Sequence, residues 1–438
     1  MHARLSPRPF PQRNEANSWK KLLVLSVSIL LPGVIASAAP NPQQFLAWFW
    51  KRPLLSQGGP YVIEGEQGHP LAPETCGHCH EQQLQDWRNS RHAQALGPGV
   101  LGQFLDRAQK QIQECLNCHA PLREQADSLQ KAWTKSSGPG AAGSPFQTRK
   151  SLHSHGVLCS GCHVRNYRWY GPPRTRDLST PNSGSVAPHE GCIPEKGFED
   201  PRFCAACHQF PAGGYALNGK LIENTYEEWK ASPYAAGGLT CQGCHMPGRR
   251  HLWRGIHDPE TVRSAVNIGV STVSVVGRML AVDLSLTNSG TGHFFPTYVT
   301  PSVVLDVYQE GADGAMAEGT DQRLVIAREI SLDLSTEYSD TRLSPGQTAV
   351  LEYRRPRSLD AVLIVMKVYV QPDAFYGRFF QALLETDLSE NSRALIGQAL
   401  AESNRSAFVI FEDRYEIAAA LRLPVPAGPE SDRHPGGR

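Results

Sequence analysis

From about residue 266 onward, apolar and polar residues alternate along the chain. Val282, Leu284 and Leu286 are separated by Asp283 and Ser285, and Val303, Leu305 and Val307 alternate with their neighbours in the same way. A period of two places one row of side chains on a buried sheet face, so these segments predict strands. Thr348–Tyr353, Ala361–Val370 and Ala407–Phe411 read likewise. Asn288-Ser289-Gly290 and Gly311-Ala312-Asp313-Gly314 mark turns. Glu390–Ser403 changes period, with Leu395, Ile396 and Leu400 on one helical face. Six or more short strands over this length predict an antiparallel β-sandwich-like domain with one helix, covering 266–423. The tail 424–438 is rich in Pro and Gly and reads as disordered.

The N-terminal side has a different pattern. Residues 1–21 are basic, Leu22–Leu31 is an apolar run ended by Pro32-Gly33, and Ala36-Ser37-Ala38 is a small-residue cleavage pattern. This reads as a signal peptide, residues 1–38, and its uncleaved alternative is a membrane anchor. Either reading makes the protein exported, to the periplasm or an equivalent compartment. The aromatic stretch Phe45–Trp50 reads as packing on the fold. Between 39 and 265 no long periodic element stands out, and Ser136–Ser144 and Gly171–Pro188 read as loops.

Composition explains that lack of regular pattern. The 438 residues include 11 Cys and 16 His but only 5 Met. Ten cysteines fall into five C-x-x-C-H motifs: Cys76/Cys79/His80, Cys115/Cys118/His119, Cys159/Cys162/His163, Cys204/Cys207/His208 and Cys241/Cys244/His245. Two thiols at this spacing form thioethers with the haem vinyl groups, and the adjacent His lies under the iron. Zinc would not require a His after every pair. The expected cofactors are five covalently bound haem c groups, with His80, His119, His163, His208 and His245 as proximal iron ligands. Five motifs in the 170 residues from Cys76 to His245 leave 34 residues per haem, so haem itself must supply much of the core.

Scarce Met and plentiful His predict mostly bis-His irons. The distal candidates are His92, His153, His155, His189, His251 and His257, with His293 and His78 behind them. A partial repeat relates Trp87-x-x-Ser90-x-His92 to Trp229-x-x-Ser232-x-Tyr234. Tyr234 stands where the first copy has His. It is therefore the candidate catalytic side chain should one iron be open, although a helix kept without its ligand explains it equally. The eleventh cysteine, Cys192, belongs to no motif and defaults to inert burial.

Charge removes other classes. Lys+Arg 43 against Asp+Glu 42 gives +1, so no nucleic-acid partner is implied. Loss of residues 1–38 takes the net charge to −3, and haem propionates make the mature protein more acidic.

The order of pieces resembles the multihaem cytochrome c family typified by the tetrahaem cytochrome that accepts electrons from hydroxylamine oxidoreductase. It rests on about residues 73–260. The pieces are C-x-x-C-H, Trp87-x-x-Ser90-x-His92, His155-Gly156-Val157-Leu158-Cys159, Phe203–His208, Glu228-Trp229, Cys241–Pro247, His251 and His257. The resemblance implies a haem-dominated, mostly α and loop domain (39–265), bis-His haem chains and exported electron transfer. Its partners would be redox protein donors and acceptors, whether quinol-linked or in the outer membrane. Membrane contact follows only from an uncleaved N-terminal segment, and an oligomer is compatible. The chain departs from that family in its fifth motif and its haem-free C-terminal region, and it lacks the C-x-x-C-K of ammonia-forming nitrite reductases. The reading is an electron carrier. Its alternative is a multihaem reductase or oxidase of a small nitrogen or sulfur compound.

Overall fold

The C-terminal alternation resolves into two antiparallel sheets. The computed structural model describes residues 41–58, 69–104, 109–136, 151–173 and 192–420. The signal segment, most of both expected loops, His189 and the tail lie outside them. One sheet has five strands, in the order Glu337–Asp340, Gln322–Ile330, Ser302–Gly311, Ala361–Gln371 and Phe408–Glu416. The other runs Thr348–Pro356, Met279–Asn288, Val266–Val270, with Ser274–Val276 also paired to Met279–Asn288. Leu280, Val282, Leu284 and Leu286 from the second sheet share one core with Val303, Leu305, Val307, Met366 and Val368 from the first. The strand Ser302–Gly311 lies in mid-sheet and buries both faces, which is why Val303-Val304-Leu305 is continuously apolar.

The other elements tie these sheets to the motif-bearing region. Helix Glu390–Asn404 packs on Pro98–Phe104, and Leu395 joins a core with Leu101, Phe104 and Leu116. Close approach needs Gly102, since a Cβ there would come 2.8 Å from Ile396 Cδ1. A second helix, Ala374–Leu384, buries Phe375 and Phe380. No helix among the described residues is long and apolar enough to cross a membrane.

An ionic seam reinforces this join. Lys220 Nζ lies 2.6 Å from both Glu337 and Asp340, and Arg342 reaches Asp340 at 2.8 Å and Glu228 at 3.0 Å. Burial pushes the Asp340 carboxyl up, but Arg342 and Lys220 outweigh it and hold it down at about 2. A depressed carboxylate stabilises the fold fully above its unfolded value of about 4 and loses that contribution as pH falls through its folded value. Denaturant midpoints should therefore drop between about pH 4 and pH 2, and Asp340→Asn should flatten that slope. An unchanged slope in the variant would remove Asp340 from the cause.

Candidate haem-binding centre

Each C-x-x-C-H motif includes a short helical stretch: Pro73–Gly77 running into the first motif, then Gln109–His119, Cys159–His163, Arg202–His208 and Cys241–His245. One helical turn is what the chemistry needs, because residues three apart share a face and the next residue turns beneath it. The last of these helices is capped by Thr240, whose side chain accepts from the Gly243 N–H at 3.1 Å.

Four of the five motif histidines are oriented through Nδ1. His163 and His245 meet the carbonyls of Tyr170 and Arg254, each at 2.8 Å, and His119 meets that of Ala95 at 2.5 Å. His208 meets a side chain, Tyr298 Oη, at 2.8 Å. A carbonyl can only accept, so Nδ1 carries the proton and Nε2 is the nitrogen left for a metal. Burial pushes His163 and His208 down to about 4, which keeps them neutral and ligand-competent.

Three of these rings face a second histidine. The centroids of His163 and His251 are 6.1 Å apart, those of His208 and His92 6.1 Å, and those of His245 and His293 6.4 Å, the last pair within 11° of parallel. Two metal–nitrogen bonds of about 2 Å each, plus the ring radii, give a centroid separation of about 6 Å across one ion. His251 and His293 also use Nδ1 on backbone carbonyls, Arg249 at 3.1 Å and Phe294 at 2.9 Å. Burial pushes His92 down to about 3 and His293 to about 4.

The other candidates are placed differently. His153 Nδ1 bonds Ser128 Oγ at 2.9 Å, and His155 Nε2 lies 3.8 Å from Glu74, beside the first motif. His257 turns Nε2 to Asp373 at 3.1 Å, and His78 is exposed in the turn after its helix. Cys192 is exposed and not buried, because residues 193–194 pair alongside Tyr170-Gly171 at the rim. Tyr234 spends its hydroxyl on the Ser289 carbonyl at 2.6 Å.

The partial repeat has a structural counterpart. The Trp87 indole donates to the carbonyl of Val157 at 2.7 Å, and that of Trp229 to Leu239 at 2.9 Å. Each acceptor lies two residues before a motif cysteine, so each tryptophan helix docks a haem motif. The first copy brings His92. The second uses Tyr234 to hold the loop that carries His293, and Gly292 there passes Trp229 and Tyr234 too closely for an easy Cβ. Trp253 meets His92 and His251 edge-on at 4.8 and 5.0 Å, a positioning role that sequence reasoning missed.

The motif cysteines also meet across motifs. The free thiol of Cys76 hydrogen-bonds that of Cys159, Cys118 that of Cys207, and Cys204 that of Cys241. Cys79 is exposed, where Cys76 of the same motif is half-buried. The physical reason is its place in the three-residue link between Pro73–Gly77 and Glu81–Arg88, where its N–H donates to the Cys76 carbonyl at 3.3 Å. The place of Cys79 in the haem reading is therefore carried by motif spacing, not by packing. Cys244 of the fifth motif is exposed as well.

Two arginines lie among the enclosed cysteines. Arg52 bridges Cys118 and Cys207 at 3.3 and 2.9 Å. Arg165 is 3% exposed, its guanidinium 3.9 Å over the Phe49 ring, and burial pushes it down to about 10. Its Nη2 has no hydrogen-bond partner among the described residues. Its Nε and Nη1 donate to the Phe49 and Val164 carbonyls at 2.8 and 2.6 Å, so a buried cation with one free donor and no carboxylate partner among the described residues fits a cofactor that brings carboxylates, as haem does.

The family model for cytochrome c554 and c-prime matches residues 75–164. A penta-heme cytochrome c552 from Thermochromatium tepidum superposes with a TM-score of 0.55 at 18% identity, over 79% of this chain and 98% of that one. These matches support a multihaem c-type cytochrome with covalently bound haem. Bacteroides uniformis beta-glucuronidase 2 aligns over 25% of this chain and 11% of its own with a TM-score of 0.14 and 11% identity, which carries no argument. No curated protein matches the sequence. At 18% identity the superposition speaks for the fold, and the haem reading stands on the motifs and the ring geometry.

Proposed function

We propose that the protein is an exported pentahaem electron carrier with bis-His irons. The observation that carries this reading is the set of three histidine pairs at iron-spanning separation: His163 with His251, His208 with His92, and His245 with His293. The remaining proximal ligands, His80 and His119, take their partners from His153, His155 and His189, since His257 commits Nε2 to Asp373. Haem supplies a one-electron couple when bound. The chain's own part is to fix ten thioether cysteines, orient His119, His163, His208 and His245 through Nδ1, and shield the cluster. The meeting of cysteines from motifs 1 and 3, 2 and 4, and 4 and 5 favours short steps between neighbouring centres. The exposed Cys79 and Cys244 put the first- and fifth-motif haems toward solvent, the sides from which redox partners would approach.

The sandwich-like sheets cover the cluster and supply His293. The N-terminal segment directs export, to the periplasm in a bacterium, and the partners are redox proteins. Tyr234 takes no catalytic part, since its hydroxyl is committed to the backbone. Intact mass and a pyridine haemochrome assay should count five haems, and electron paramagnetic resonance should find all of them low-spin, with no carbon monoxide adduct. A lower count, or a ligand-binding high-spin iron, would overturn the carrier reading.

A further inference from the structure

His208 is held by a side chain where His119, His163 and His245 are held by carbonyls, and that side chain opens onto a hydrogen-bonded chain. Tyr298 Oη lies 2.8 Å from His208 Nδ1 and bonds Thr225. Thr225 Oγ1 is 3.0 Å from Glu223 Oε1 and 2.9 Å from Thr297 Oγ1. Thr297 donates to Glu228 Oε2 at 2.7 Å, and Glu228 is ion-paired with Arg342 at 3.0 Å.

Counting protons gives this chain a direction. The neutral His208 ligand donates its Nδ1 proton to Tyr298, so Tyr298 must donate its own to Thr225. Thr297 has spent its proton on Glu228, so Thr225 donates to Thr297. Thr225 then has no proton for Glu223, and the contact between them is satisfied only when Glu223 carries one. When Glu223 is ionised, Thr225 must turn its hydroxyl to the carboxylate and abandon Thr297. The network thus has two proton arrangements, and the charge on Glu223 selects between them.

We propose that Glu223 is a proton-uptake site coupled through Thr225 and Tyr298 to the iron ligand His208, so that reduction of the fourth-motif haem takes up a proton at this carboxyl. This deepens the electron-carrier reading and rests on it. One electron from a protein donor, or from an electrode in the test, converts iron(III) to iron(II). One solvent proton converts the Glu223 carboxylate to the acid, so the cluster's net charge is unchanged. Glu228, on the helix that follows it, favours the acid, and Tyr298 and Tyr376 face it as neutral phenols. Among the described residues no basic side chain pairs with it, and Arg342 is taken by Glu228 and Asp340. Burial, with Glu228 adding to it, pushes Glu223 up to about 8, close to working pH.

The test is spectroelectrochemistry of the haem-loaded protein from pH 6 to 10. The fourth-motif wave is identified by its shift in Tyr298→Phe. In the wild type this wave should be level at the acid end and fall above about pH 8. The reduced-to-oxidised ratio at fixed solution potential should drop up to tenfold per pH unit, or 59 mV for a one-electron couple. Glu223→Gln keeps the shape and removes the titration, so its wave should stay level near the wild type's acid-side value. Should that variant fail to load haem, Thr225→Val, which cuts the chain, should also lose the slope. A level wild-type wave, or a slope that survives in Glu223→Gln, overturns the proposal. The haem count and spin state are read from the same samples. Five low-spin haems with a level wave would reject the proton coupling alone, whereas missing or high-spin haem would reject the carrier reading.

Discussion

Replacing His293 with alanine is expected to turn one low-spin iron in five high-spin, while all five haems stay attached. In the proposed assignment the thioethers come from Cys241 and Cys244 and the proximal bond from His245, none of which the variant touches. His245 and His293 stack 6.4 Å apart and nearly parallel, so the substitution opens one face of one iron. The loop is held without the imidazole. Asn288 Nδ2 donates to the carbonyls of His293 and Leu343 at 3.0 and 2.9 Å, and Tyr234 anchors Ser289. The backbone should therefore stay in place, and carbon monoxide should bind the vacated side. Electron paramagnetic resonance and carbon monoxide difference spectra check this, with His257→Ala as the comparison. That histidine turns Nε2 to Asp373 in this structure, so its loss should leave the fifth-motif iron low-spin. A His293→Ala protein that stays wholly low-spin would break the assigned pair.

The difference between these two histidines shows where sequence reasoning ends. C-x-x-C-H is local chemistry, and Cys241 and His245 can be read from five consecutive residues. The proposed distal partners are set by folding: His293, which stacks with His245, comes from a loop between strands, 48 residues later. A signal did exist in Tyr234, which replaces His92 in the repeat and marks a second docking helix whose ligand had to come from elsewhere. Exposure within a motif is equally a matter of folding. Cys76 and Cys79 look alike in sequence, and only the turn between two helices leaves the second of them at the surface. Strand alternation at Val282–Leu286 was legible because one face is buried and one is not. The strand Gln322–Ile330 was harder to see, since Arg323, Arg328 and Glu329 interrupt its apolar row, and Arg328 is itself buried. Ala374–Leu384 escaped because its aromatics lack a clean polar face. Phe408–Glu416 outruns its apolar core because Glu412, Asp413 and Arg414 lie on a sheet edge, where charge discourages further pairing.

Arg328 is also where the largest loss of stability is expected. It is 1% exposed, and its guanidinium pairs with Glu337 at 2.8 Å. The same group donates to the carbonyls of Leu221, Lys220 and Leu217 at 2.6, 2.9 and 3.2 Å. One planar fork thus clamps the hairpin 216–221, from the motif-bearing region, onto the five-stranded sheet. Arg328→Ala leaves three carbonyls and a buried carboxylate without that donor, and removing one partner of such a pair costs about 3–5 kcal/mol. Arg328→Lys keeps the charge but not the fork, so it should recover only part of the loss. Arg414, half-exposed against Glu310, is the comparison: Arg414→Ala should cost far less, because solvent screens that pair. Denaturant unfolding of the haem-loaded protein measures all three. Because the clamp joins the two regions, hydrogen exchange should rise first at 216–221 in Arg328→Ala. A loss there no larger than that of Arg414→Ala would mean that the helix packing around Gly102 and Ile396 holds the regions together without the clamp.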